Sequence, residues 1–121
     1  MSREFSISVI DDDEVFRTVL VDSLGSLGYN VSEYASAEDF VAGQSYSSCN
    51  CVITDLHLPG MSGLDLMRLL TARHSTVPVI LITARAEPGL ESRAAAAGTV
   101  CLLRKPFESS ELIRCLGKAL N

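Results

Sequence analysis

Five short apolar runs alternate along the chain with stretches in which apolar residues recur every three or four positions. The runs cover Ser6–Ile10, Asn30–Tyr34, Cys51–Thr54, Val79–Thr83 and Val100–Leu103. Most are rich in Val and Ile, so they predict strands. Between the first two, Phe16, Leu20, Leu24 and Leu27 share one face of a helix that Gly28 stops. A second helix should begin after Ser36, whose hydroxyl can cap the amides near Asp39. It should point Phe40 inward and end around Gly43. A third is predicted from about Ser62 through His74, with Leu66, Leu69 and Leu70 inward, closed by Val77-Pro78. A fourth is predicted to start near Pro88 and run through four alanines to Gly98, and a fifth covers Ser109 to Leu120.

Strands that alternate with helices build a parallel sheet covered on both faces, because each right-handed crossover returns the chain to the same orientation. The expected class is α/β with three layers. The length of 121 residues suits a single domain over 1–121, and 47% hydrophobic with 21% charged residues is the mixture of a folded globular chain. A net charge of −5 argues against direct nucleic-acid binding, which needs clustered Lys and Arg. No apolar run approaches the roughly 20 residues of a membrane span, and no leader pattern opens the chain, so a cytoplasmic location is expected. The four cysteines, Cys49, Cys51, Cys101 and Cys115, are too irregularly spaced for a disulfide framework or zinc site. They are expected to be reduced, with Cys51 and Cys101 as core filler.

The polar residues that interrupt the strands carry more information. In open parallel sheets ligands bind beyond the carboxyl ends of strands, and that is where Asp11, Asp12, Asp13, Asp55, Thr83, Arg104 and Lys105 fall. Carboxylates converging on one rim repel one another unless a cation neutralises them, and an all-oxygen ligand set that leaves room for phosphate favours Mg2+. Each residue also has a plainer reading. The acidic triplet would cap the first helix, Asp55 would open a turn before Pro59-Gly60, Lys105 would be a solvated cation and Thr83 an ordinary strand end. Their joint placement favours the shared site.

The segments IDDDE, TDLHLPGMSGLDL, LITA and RKPF, in this order on successive strands, resemble the receiver domain of bacterial two-component response regulators. The resemblance spans essentially the whole chain. It implies a flavodoxin-like (βα)5 fold with strand order 2-1-3-4-5 and assigns Asp55 as phosphoacceptor from a sensor histidine kinase's phosphohistidine. Asp12 would be a direct Mg2+ ligand, Asp11 a ligand through water, and the main-chain carbonyl of His57 would complete the set. Lys105 would contact the phosphoryl group, Pro106 would follow a cis peptide bond, and Thr83 would be the switch hydroxyl that biases the face of helix 4, strand 5 and helix 5. Asp13 matches no site position and keeps its capping reading.

Three features qualify the match. Leu102 stands where family members usually carry an aromatic, which implies a smaller or differently built transition. His57 and Arg85 occupy variable positions from which they could set the lifetime of the phosphorylated state or simply face solvent. The wording of TDLHLPGMSG resembles receivers joined to a helix-turn-helix DNA-binding output, and a dimer formed on phosphorylation is compatible with it. The domain itself is expected to be a phosphoacceptor rather than an enzyme. Two enzyme-like rivals fit less well. An aspartyl phosphatase would carry a second Asp where His57 stands, and a dinucleotide domain would need a Gly-rich loop where three aspartates lie. A phosphorylation-independent interaction module is the remaining alternative.

Overall fold

The computed structural model describes residues 5–43 and 48–120. The elements follow in strict alternation: β1 (Ser6–Ile10), α1 (Glu14–Ser26), β2 (Asn30–Tyr34), α2 (Ala37–Gly43), β3 (Cys51–Asp55), α3 (Gly63–Ala72), β4 (Val79–Thr83), α4 (Leu90–Ala97), β5 (Cys101–Arg104) and α5 (Ser109–Leu120). The strands are all parallel and form one sheet in the order β2-β1-β3-β4-β5. β3 and β4 are buried along their whole length, which is why they read as unbroken apolar runs rather than as alternating ones. On one face of the sheet α2, α3 and α4 close a core around Phe40, Leu66, Leu70, Leu81 and Ala94. On the other, α1 and α5 pack Leu20, Leu24, Leu112 and Leu116 over Val9, Ile53 and Ile82.

Capping chemistry fixes where the helices begin. Asp13 is the N-cap of α1 and accepts from the Phe16 amide, so the capping reading of this residue holds. The Ser36 hydroxyl accepts from the Asp39 amide at 3.0 Å, and Phe40 is fully buried. Ser62 and Asp65 form a reciprocal capping box on α3, and its two bonds hold the Asp65 carboxyl below the ordinary carboxylate range.

Four details depart from the sequence expectation. Leu27 is the C-cap of α1 and half exposed, because the helix ends before its face comes round again. In α3 the inward set is Leu64, Leu66, Met67 and Leu70, with Leu69 only partly buried. The helix ends at Ala72, and His74 takes a left-handed turn at φ 61°. Pro88 lies in the turn before α4. Gly89, at φ 77°, occupies the N-cap, so α4 starts at Leu90. The cysteines are not all thiols: Cys101 and Cys115 form a disulfide, while Cys49 and Cys51 are free. Their spacing of 14 residues looked irregular because it measures a strand-to-helix crossover, and the fold brings the two Cα atoms to 5.8 Å, well inside bridging range.

Candidate functional site

The strand order reverses between β1 and β3, and the chain places its acidic residues beyond the carboxyl ends of these two strands. Asp11 follows β1 directly and is buried, its amide tied to the Tyr34 carbonyl of β2. Asp12 is exposed beside it. Asp55 is the last residue of β3 and is 7% exposed. One carboxylate oxygen from each of the three lies within 4.8 Å of the others.

The Lys105 ammonium is set among them. Lys105 Nζ lies 3.0 Å from Asp11 Oδ2 and 3.1 Å from Asp55 Oδ2. The second oxygens of these two carboxylates accept main-chain donors. The Asp13 amide reaches Asp11 Oδ1 at 2.9 Å, and the His57 amide reaches Asp55 Oδ1 at 2.8 Å. Burial pulls the Lys105 ammonium down, but the hydrogen bonds it donates to Asp11 and Asp55, with their negative charges, outweigh it and raise it above its usual value. The expected cis bond joins Lys105 to Pro106, and the Lys105 amide is held on the Thr83 carbonyl at 2.7 Å.

Phe16 also contacts this cation. Its ring lies 4.0 Å from Lys105 Nζ and meets Phe107 edge-on, with ring centroids 6.0 Å apart. By sequence Phe16 counted only as one member of a core stripe, because periodicity reports which face a residue is on and not what it touches.

Thr83 ends β4 fully buried. Its hydroxyl is engaged within its own loop, donating to the Arg85 carbonyl at 3.1 Å and accepting from the Arg85 amide at 3.0 Å. The Arg85 side chain is exposed. The His57 imidazole lies toward Glu87, with 4.0 Å between Nε2 and Oε2. That nitrogen is buried without a hydrogen-bond partner among the described residues. Glu87 in turn pairs with Arg93 of α4. Asp12, His57, Pro59, Ser62 and Arg85 line part of a cleft of about 420 Å³ over the rim. Leu102 is partly buried against the core on the α3 and α4 side, opposite Leu81.

Three carboxylates face the Lys105 ammonium at the rim, and the ligand atoms they offer are all oxygens, so the residues fit a hard divalent cation. Without one, the crowding costs stability. Burial is the main cause that raises the Asp11 carboxyl above its usual value. The Asp13 amide and Lys105 oppose it, and the neighbouring Asp55 charge adds to it. A carboxyl raised on folding favours the folded state below its unfolded value of 3.8, and that contribution is lost as pH rises through the folded value. At neutral pH ionised Asp11 therefore destabilises the fold. Asp11→Asn keeps the acceptor for Asp13 and should raise Tm in chelator at pH 7. Thermal unfolding measures this, and an unchanged or lower Tm would contradict it.

A separate groove of about 490 Å³ runs between α1 and α5 past Phe16, Val19, Lys105, Phe107 and Leu112. It is mainly apolar and holds no carboxylate, so the chemistry belongs to the acidic rim.

Residues 7–116 match the family model of the response regulator receiver domain. The chain is 33% identical over 119 residues to the response regulator protein TodT of Pseudomonas putida, covering 98% of this chain and 52% of TodT. It is 32% identical over 121 residues to the transcriptional regulatory protein FixJ of Bradyrhizobium diazoefficiens, covering 100% of this chain and 59% of FixJ. It thus spans little more than half of either protein. Among solved structures, that of FixJ-N is similar at a TM-score of 0.87 and 30% identity, covering 98% of this chain and 95% of the other. The Vibrio cholerae chemotaxis protein CheY4 is similar at a TM-score of 0.87 and 22% identity, covering 98% of this chain and all of the other, which shows a common fold.

Proposed function

The chain belongs to the receiver-domain family of response regulators, and we propose that Asp55 is its phosphoacceptor, taking a phosphoryl group from the phosphohistidine of a sensor histidine kinase. The observation that carries this is Lys105 held between Asp11 and Asp55, with Asp12 completing an acidic rim. In the transfer an Asp55 carboxylate oxygen forms a bond to phosphorus as the N–P bond breaks and its electrons return to the imidazole. Lys105 opposes the negative charge on the phosphoryl oxygens, and the His57 amide keeps the carboxylate in orientation. Asp11, Asp12, Asp55 and the His57 carbonyl are the groups that would hold Mg2+, which when bound supplies the remaining positive charge. The domain is in this sense a self-assisting acceptor, one receiver over its whole length.

Thr83 is the proposed switch. To reach a phosphoryl group its hydroxyl must leave Arg85, which moves the loop before α4 and biases the face of α4, β5 and α5. Leu102 reports on this shift from β5, and His57 and Arg85, at the mouth of the cleft, set how fast water removes the phosphate. A kinase has an apolar surface on which to rest, since Val15 and Val19 of α1 are exposed and Val19 lines the groove next to Lys105. The reader of the switched face is a DNA-binding output or a partner protein, with dimerisation on phosphorylation as one route. The site of action is the cytoplasm; no helix among the described residues is long and apolar enough to cross a membrane.

Mixing the chain with Mg2+ and acetyl phosphate and weighing it intact tests the reading. One phosphoryl adduct is expected, and none should form when a chelator replaces Mg2+. A chain that stays unmodified under both conditions would favour the phosphorylation-independent module instead.

A further inference from the structure

We propose that Cys101 and Cys115 form a reversible thiol–disulfide switch that pins α5 to β5 and so restrains the face through which the receiver signals. The inference rests on the proposed function for the importance of that face and on separate observations for the switch itself. The disulfide joins the first residue of β5 to the middle of α5. These two elements belong to the proposed output face. Leu102, next to Cys101, packs toward the opposite side of the sheet, so the bridge is anchored one residue from the position where the phosphoryl signal is expected to pass.

The chemistry is asymmetric in a useful way. Cys101 is partly exposed, whereas Cys115 is fully buried. Cys101 is therefore the less buried residue of the pair and the proposed point of first attack, with Cys115 as the resolving thiol behind it. The other two cysteines do not compete. Cys49 and Cys51 are free, and burial raises both thiols, that of Cys51 to about 12, so neither is readily a thiolate.

The oxidant is a low-molecular-weight disulfide of the glutathione type. The Cys101 thiolate attacks one of its sulfurs, forming a mixed disulfide and expelling one small thiolate. The Cys115 thiolate then attacks the Cys101 sulfur, forming the protein bridge and expelling the second. Two electrons pass to the small disulfide and the two protein thiols give up their protons to the expelled thiolates or solvent. Two reduced small thiols reverse the sequence. Because thiols prevail in a reducing compartment, the pair is set open there and closes under oxidative load.

The test uses the intact chain equilibrated in buffers of graded reduced-to-oxidised glutathione, with alkylation and mass spectrometry to count free thiols. The pair should pass from open to closed across that series. In the closed form, hydrogen exchange of α5 amides should slow by about tenfold or more in unphosphorylated protein. In acetyl phosphate and Mg2+, the chemical-shift changes along α5 should shrink relative to the open form. Cys115→Ser and, as a second variant against misfolding, Cys101→Ser should both behave as the open form in every buffer. Thiols that never pair, a bridge that stays closed in the most reducing buffer, or equal α5 exchange in both forms would overturn the proposal. If no phosphoryl adduct forms at all, the phosphoacceptor reading fails while the thiol count and the exchange rates still decide the switch.

Discussion

Asp55→Asn is expected to fold as stably as the parent chain and to take no phosphoryl group from acetyl phosphate. Asn matches Asp in shape and keeps an oxygen to accept the His57 amide, so the local turn after β3 survives. What disappears is the nucleophile, because an amide oxygen has too little charge to attack phosphorus. Removing one of three crowded carboxylates also relieves repulsion, which offsets the weaker bond to Lys105. Circular dichroism with thermal unfolding checks the fold, and intact mass checks the chemistry. An adduct that persists in Asp55→Asn would move the acceptor elsewhere.

Gly63→Ala should cost about 2–3 kcal/mol and lower Tm by roughly 10 °C. Gly63 opens α3 directly against the acceptor strand. A Cβ there would stand 2.8 Å from the Asp55 carbonyl oxygen, 3.0 Å from Leu56 Cα and 3.1 Å from a Leu81 methyl carbon. Two of these neighbours are backbone, and the Gly63 amide is itself bonded to the Leu56 carbonyl at 3.0 Å. Neither side can give way without moving Asp55 or the start of α3. The same change should therefore slow phosphorylation, and a loss below about 1 kcal/mol would show that the contact is softer than its distances imply.

The legibility of the chain divides along a physical line. Strands were readable as short apolar runs and most helices by the period that burial imposes, and β1, β2 and β4 fall on the residues that the apolar pattern marks. Ser36 and Ser62 were readable as helix starts because capping is local chemistry. Where two local signals compete, the pattern misleads. Pro88 suits a first helical turn, yet the left-handed Gly89 behind it delays α4 to Leu90.

The acidic rim was readable for a different reason. Polar residues at the ends of apolar strands are costly unless they serve one another, and the fold brings Asp11, Asp12, Asp55 and Lys105 together. Contacts between distant elements left no such trace. Nothing in the sequence joins Cys101 to Cys115, stacks Phe16 under Lys105, turns the His57 ring toward Glu87 or brings Gly63 against the Asp55 carbonyl. Each depends on the angle at which one element packs on another, which residue type and spacing do not encode.

The central claim, that Asp55 is the atom-level acceptor, is tested most directly by trapping the modification in place. Protein treated with Mg2+ and acetyl phosphate is reduced with borohydride, which converts an aspartyl phosphate to homoserine, and the digested peptides are sequenced by mass spectrometry. Homoserine at position 55 is the expected result. Conversion at another carboxylate, or none in protein that carries the phosphoryl mass, would contradict it.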